Sequence, residues 1–347
     1  MIPGIIAGSF PPAGGAATFT EVYWEWNNGS GSAGWNTDYD ISSSGAPANS
    51  VALIWVMNGE SSPKNMGVRS TSSAAARYFD VYSSGAGIGG YSMHVNVDGS
   101  QQIDYYAEGV STSEKFAVIG YWEDATYTED YSTIGTTNNS WVTETASNLV
   151  ANSVAEVIMC SNGHNQNFVG AGSAAGTPDF YEDCDDTGAS GNLPTNFPCE
   201  LDGSKQFKWR HERKSTEGGD SRIVGGLETG RTWTEYGSAG TYFTPSASSG
   251  AWYSETLVPT IPEGAIAVIT GSNAAGSRKP IMGVRKVGSA LEKKQIINEP
   301  ERASKVAKTS THYVEVDSSN NIEIYGGWSG LTSTTTNIRY YLMGWWE

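Results

Sequence analysis

Five residues, Ala48-Asn49-Ser50-Val51-Ala52, recur unchanged at Ala151 to Ala155, and the stretch after each copy repeats as well. The first runs on as ANSVALIWVMNGESSPKNMGVR and the second as ANSVAEVIMCSNGHNQNFVGAG. A third copy begins at Pro262, PEGAIAVITGSNAAGSRKPIMGVR, and returns Met66-Gly67-Val68-Arg69 as Met282-Gly283-Val284-Arg285. A second block comes later in each unit: VNVDGSQQIDYY from Val95, CELDGSKQFKW from Cys199 and VEVDSSNNIEIY from Val314. Its aspartates, Asp98, Asp202 and Asp317, stand 104 and 115 residues apart. A repeat of that length makes each unit a small domain, so a chain of this kind is an array.

The blocks have readable local physics. Val95 and Val97 alternate with polar residues, as do Val314 and Val316, the pattern of a strand with one wet face. Asp-Gly-Ser or Asp-Ser-Ser-Asn makes a turn, and Ile103, Tyr105 and Ile322, Ile324 open the returning strand of a β-hairpin. Val51 to Met57, Phe116 to Trp122 and Tyr340 to Trp346 are continuous apolar runs, which suit strands buried on both faces. Gly120 and Gly344 fall at the same place in the closing strands, where an interior glycine implies a bulge or a close neighbour.

The fold class expected is all-β: three tandem antiparallel β-sandwich (jelly-roll-like) domains over 17–126, 127–232 and 233–347, with an extended N-terminal arm over 1–16. The junctions are placed in TYTEDYSTIGTTNNS and TEYGSAGTYFTPSASSG, polar stretches rich in Gly, Ser and Thr. Leu291 to Ala307 reads as a short helix broken at Pro300. Composition agrees with the β reading: of 347 residues 42 are glycine, 11% are aromatic and only 17% are charged.

The formal net charge of −16 disfavours phosphate backbones and anionic membrane surfaces. No run of 18 apolar residues is present, so no membrane-inserted helix is expected. MIPGIIAGSFPPAGG lacks a basic region and a continuous apolar core, so it does not read as a secretory leader. Cys160, Cys184 and Cys199 match no zinc spacing; Cys184 and Cys199 flank a loop that either a disulfide or free thiols would suit.

Candidate chemistry is sparse. Asp38 with Asp40, Glu123 with Asp124, and the run Glu182 to Asp186 are the carboxylate groupings a glycosidase would need, yet each reads as well as a solvated loop. Glu182 to Asp186 also lacks the fixed spacing of a calcium loop. His94, His164, His211 and His312 form no HExxH pattern, and no GxSxG elbow is present. His94 and His312 lie near equivalent strands and read as one shared structural position. The AGIGG segment at Ala86 lacks the strand–helix context of a nucleotide loop. Trp24, Trp26, Trp122 and Trp346 read as core or junction residues, whereas Trp328, set among glycines, is the candidate for an exposed glycan contact. No catalytic residue, cofactor or metal site is assigned.

The arm, the PxGxxAVI-type strand with its MGVR element, and the closing segment ending YLMGWWE together resemble phage virion proteins, namely tail, tail-fibre or capsid-associated components with tandem jelly-roll modules. That resemblance implies a non-enzymatic structural subunit located in the virion. Its partners would be copies of itself and other virion proteins, with host-surface glycan as a further contact. The arm residues Ile2, Ile5, Ile6 and Phe10 would be the assembly contacts, since Pro and Gly keep them from burying themselves in a helix of their own. Two other classes fit the same residues: an extracellular carbohydrate-binding protein, and a polysaccharide hydrolase or lyase on a β scaffold. Unit two departs most from the pattern, ending in Gly225-Gly226-Leu227-Glu228 without the aromatic close.

Overall fold

The computed structural model describes residues 16–60, 62–81, 89–135, 138–162, 168–175, 182–183, 192–211, 221–236, 242–245, 250–273, 280–296, 310–328 and 338–347. Unit one holds β1 (Thr18–Asn27), β2 (Gly34–Asp40), β3 (Val51–Asn58), β4 (Lys64–Arg69), β5 (Tyr78–Val81), β6 (Gly89–Asn96), β7 (Gln102–Ala107) and β8 (Glu114–Glu123). Unit two holds β9 (Thr126–Thr133), β10 (Asn138–Thr145), β11 (Val154–Asn162), β12 (Phe168–Ser173), β13 (Glu182–Asp183), β14 (Asn192–Glu200), β15 (Gln206–His211) and β16 (Arg222–Glu228). Unit three holds β17 (Trp233–Glu235), β18 (Ala251–Thr256), β19 (Ile266–Asn273), β20 (Pro280–Arg285), β21 (Lys294–Ile296), β22 (Ser310–Glu315), β23 (Asn321–Trp328) and β24 (Ile338–Trp346).

One topology serves all three units. The sheets of unit one run β1-β8-β3-β6 and β2-β7-β4-β5. Adding eight to each number gives the sheets of unit two, and adding sixteen gives those of unit three. Every pairing is antiparallel, and the first strand of each unit pairs with its last. This is the eight-stranded jelly roll of two four-stranded sheets.

The hairpin aspartates hold the same geometry in every unit. Asp98 Oδ1 accepts from the amides of Ser100 and Gln102, both at 2.8 Å. Asp202 does so from Ser204 and Gln206, and Asp317 from Ser319 and Asn321. The residue before each returning strand, Gln101, Lys205 or Asn320, adopts a left-handed φ of about 60°. An Asx turn of this kind satisfies backbone donors that a bare turn would leave open.

The two-sided burial of the apolar runs has a specific cause. Val51, Leu53, Trp55 and Met57 face one cluster, which also takes in Val157, Phe197, Val268, Tyr313 and Trp346 from the other units. Ala52, Ile54 and Val56, on the opposite face of β3, fill the unit's own sandwich. Unit three divides likewise, with Ile266 and Val268 in the shared core and Ala267 and Ile269 in its own. Each fully buried side chain of this size contributes about 1.5–3 kcal/mol, so the shared core binds the units into one body.

Two expectations are corrected. The stretch in which the first junction was placed opens with β9, from Thr126, and the second opens with the last two residues of β17, Thr234 and Glu235. Their threonines, serines and acids suggested loops, but the strands meet neighbouring units through polar contacts. The helix expected from Leu291 is absent where described: Lys294–Ile296 is a short edge strand on β20, pairing Ile281 with Ile296. Ile2, Ile5, Ile6 and Phe10 of the arm, and residues 297–307, lie outside the described residues.

Candidate functional site

The first strand of every unit carries the same four-residue pattern: Thr18-Phe19-Thr20-Glu21, Thr126-Tyr127-Thr128-Glu129 and Thr232-Trp233-Thr234-Glu235. The aromatic ring covers a glycine of the closing strand. Phe19 lies over Gly120, Tyr127 over Gly225 and Trp233 over Gly344, where a Cβ would run into the ring. The register shifts beside each glycine, so bulge and packed aromatic occur together.

The glutamates reach out of their own units. Glu129 of unit two accepts from the Ser70 amide of unit one at 2.8 Å. Glu235 of unit three accepts from the Ser173 amide of unit two at 2.7 Å. Glu21 of unit one accepts from the Lys286 amide of unit three at 3.2 Å. The three donors occupy one register position: Val68, Ala171 and Val284, two residues earlier, pair with Tyr105, Trp209 and Ile324. The contacts therefore run one to three, three to two and two to one, and the chain closes into a ring. Arg231, between units two and three, adds Nε to the Ala17 carbonyl at 2.7 Å, while the Ala17 amide donates to Thr229.

Among the described residues, two of the three clamps contain a buried cation. The Arg77 guanidinium, 0% exposed, lies 2.9 Å from Glu129 and donates to the His94 carbonyl. Lys293 Nζ, also 0% exposed, lies 3.3 Å from Glu21 and donates to the Tyr313 carbonyl. Those carbonyls are equivalent, since His94 pairs with Leu53 and Tyr313 with Val268. In the third clamp the same sequence position, counted from the Val169–Glu182 pair, is Phe180, outside the described residues. Burial, with the Glu200 carboxylate nearby, pushes Glu235 up to about 7.

A polar network fills the boundary between units one and two. Trp122 Nε1 donates to His94 Nε2 at 3.2 Å, and His94 Nδ1 lies 2.8 Å from Glu156. An indole N–H only donates, so Nε2 accepts and the imidazole proton sits on Nδ1, given to the carboxylate. Tyr127 donates to Glu156 at 2.6 Å while accepting from Arg77 at 2.7 Å, and Asn196 Nδ2 donates at 2.8 Å. Burial alone raises the Glu156 carboxyl, but His94 and these hydrogen bonds outweigh it and hold the group below the usual carboxylate range. Buried charge is tolerated only when compensated in this way. His94 and Glu156 are at most 1% exposed, so the network is closed off from solvent.

The two histidines expected at one position are separate. The register equivalent of His94 is Tyr313, whose ring lies 5.1 Å from it, and His312 stands one residue earlier. Burial and the Lys293 ammonium hold His312 well below 6.5.

A further candidate is an open groove of about 590 Å³ in unit one, between the β1–β2 loop and β2. Asn27, Trp35, Asn36, Asp38, Tyr39 and Asp40 line it. β2 carries a bulge between Asn36 and Tyr39, which puts Asp38 at φ 55°. The Asp38 amide donates to Asp104 Oδ1 at 3.1 Å, and Arg69 Nε reaches Asp104 Oδ2 at 3.0 Å. The Arg69 guanidinium also lies 3.9 Å over the Trp35 ring. Tyr39 stacks on Trp26 at 5.3 Å, and Trp26 in turn on Trp24. The Ser42 amide holds Asp40 below its ordinary value.

Trp122 and Trp346 meet in the shared core at 5.3 Å, and Trp26 belongs to the sandwich core of unit one. Trp328 ends β23, and its side chain lies outside the described residues, as do Cys184 and residues 184–186. Cys160 and Cys199 are both buried. Glu123 is exposed at the end of β8. Among the described residues no group of three His, Cys, Asp or Glu could hold a metal ion. No family model matches the chain, and no curated protein matches it.

Proposed function

We propose that the chain is a non-catalytic structural subunit of a virion, a tail, tail-fibre or capsid-decoration component that assembles with itself and with other virion proteins. The observation that carries this reading is the closed ring: three jelly rolls of one topology, clamped head to tail within one chain by equivalent carboxylates. Such a ring is a rigid, self-contained block, the property a particle component needs and a soluble catalyst does not require. The non-catalytic half of the reading is supported by where the charge chemistry sits. His94, Glu156, Tyr127 and Arg77 are enclosed between units and engaged with one another. The arm residues Ile2, Ile5, Ile6 and Phe10 are proposed as the contact to neighbouring subunits, on their apolar sequence alone.

Immunogold labelling of particles from a culture producing the chain tests this directly. Regular label on particles, lost when residues 1–14 are deleted while circular dichroism stays unchanged, is the expected result. Label confined to the particle-free supernatant would overturn the virion reading. Release of sugar from polysaccharide by the purified chain would overturn the non-catalytic one.

A further inference from the structure

We infer that the groove on β2 of unit one is a binding site for a neutral saccharide. The comparison within the chain separates what the fold needs from what it does not. In unit three Trp252 takes the place of Trp35, with Arg285 at 4.0 Å over its ring and paired to Glu323 as Arg69 is to Asp104. The arginine–tryptophan–acid sandwich is therefore part of the shared outer sheet, and it accounts for the repeated MGVR element. Unit three stops there. β18 pairs with β23 without a register shift, Glu255, the partner of Ile322, standing three positions after Trp252. In unit one Tyr39, the partner of Ile103, stands four positions after Trp35. The extra residue makes the bulge that turns Asp38 toward the groove, a recurrent way to re-aim a side chain at a site.

The groove is held ready. The Asn36 amide group is consumed in fixing the loop, with Oδ1 accepting from Ser32 at 2.9 Å and Nδ2 donating to the Ser32 carbonyl. Tyr105 donates to Asn28 at 2.9 Å beneath it. Asp104 ties Asp38 and, through Arg69, Trp35 to one anchor. The Asp38 carboxylate is exposed and makes no hydrogen bond or ion pair among the described residues. The chemistry offered is thus aromatic rings beside hydrogen-bond acceptors with no lining lysine or arginine. Ring faces suit the C–H face of a sugar, and carboxylates accept from paired hydroxyls. Two carboxylates exclude an anionic ligand, and the polar rim excludes a purely apolar one. The volume falls in the range of small-ligand sites.

This inference does not rest on the virion reading, since a particle head and a free extracellular binder would use the groove alike. The test is saturation-transfer NMR on the whole chain with methyl glycosides of glucose, galactose and mannose, N-acetylglucosamine, and sialyllactose as the anionic probe. At least one neutral sugar is expected to bind at about millimolar strength or better. Asp38→Gly, which keeps the left-handed backbone accessible while removing the carboxylate, is expected to weaken it at least about tenfold, and Trp35→Ala similarly. Trp252→Ala, the matching change in unit three, should leave binding unchanged. Should Trp35→Ala misfold by circular dichroism, Asp38→Gly alone decides. No neutral probe bound at about 10 mM, equal binding by Asp38→Gly, or preference for sialyllactose would each overturn the inference.

Discussion

Glu129 and Glu235 stand at the same position of the same strand and accept from the same backbone donor of a neighbouring unit, yet they live in different electrostatic worlds. Glu129 has the Arg77 guanidinium at 2.9 Å. Glu235 has the Ser173 amide and, nearby, a second carboxylate, Glu200. The repeated backbone amide sets where the units meet, because every copy of the fold supplies it. Neutralising the carboxylate is left to whatever side chain the neighbouring unit presents, and there the copies have diverged.

The largest effect expected from breaking this contrast is at Arg77. Arg77→Met would leave Glu129 and the Tyr127–Glu156 pair buried without their cation. Removing one partner of a buried ion pair costs about 3–5 kcal/mol. Urea denaturation followed by tryptophan fluorescence should show the midpoint fall accordingly, with partial recovery in Arg77→Met/Glu129→Gln. A midpoint within error of the parent would mean that the backbone amides alone hold the clamp.

The next effect is one of pH. The Glu235 carboxyl is raised to about 7 in the folded chain by burial, then by Glu200, from an ordinary 4.5. A raised folded value means that the folded state holds the proton more tightly. The stability it contributes is complete below pH 4.5 and is lost as pH climbs through 7. The loss amounts to at most about 3 kcal/mol. Glu156 is lowered and acts in the opposite sense, its contribution present above its ordinary value and lost in acid. Melting temperatures at steps from about pH 5 to about pH 8 should therefore fall for the parent more than for Glu235→Gln. Parallel curves would show that Glu235 is compensated after all.

How far this contrast could be read beforehand depends on what each residue's partner is. The hairpin aspartates and the glycines of the closing strands were legible because their partners lie within a unit, and the two-sided strands because their apolar runs repeat, although one face of each packs on other units. The clamps were not. TFTE, TYTE and TWTE recur plainly, but Thr and Glu in an edge strand look like solvent-facing residues until a second unit covers them. The Glu156 position is instructive: its equivalents are Leu53 and Val268, and only the three-dimensional neighbours His94, Tyr127 and Asn196 explain a carboxylate there. Asp38 and Asp40 stood out as a pair, but the one-residue bulge that aims Asp38 leaves no mark in the sequence pattern.

A smaller effect compares two clamps through their glycines. At Gly344 an added Cβ would press on the Trp233 ring and the Thr234 carbonyl. Overpacking of this kind costs about 1–3 kcal/mol. At Gly225 the obstacle is the Tyr127 hydroxyl, the atom that joins Arg77 to Glu156. Gly225→Ala is expected to lower the melting temperature more than Gly344→Ala, because it displaces a hydrogen bond as well as a ring. The reverse order would indicate that the network yields more readily than the aromatic core.

The smallest effect is expected where an ion pair has good geometry but little burial. Lys115 Nζ lies 2.7 Å from Glu25, closer than Lys293 lies to Glu21, yet both partners are about one third exposed. Water already solvates both charges, and holding two long side chains together costs rotamer freedom, so such pairs contribute about 0–1 kcal/mol. Lys115→Ala should shift the urea midpoint by no more than the experimental scatter and should be insensitive to added salt. Lys293→Met, removing the cation of a clamp with the longer contact, should shift it severalfold further. If Lys115→Ala shifted the midpoint as far as Lys293→Met or further, burial would not set the strength of the clamps, and the contrast between Glu129 and Glu235 would lose its basis. A large gap between them would place the energy in the enclosure of the charge, which is what the ring provides at Glu129 and at Glu21.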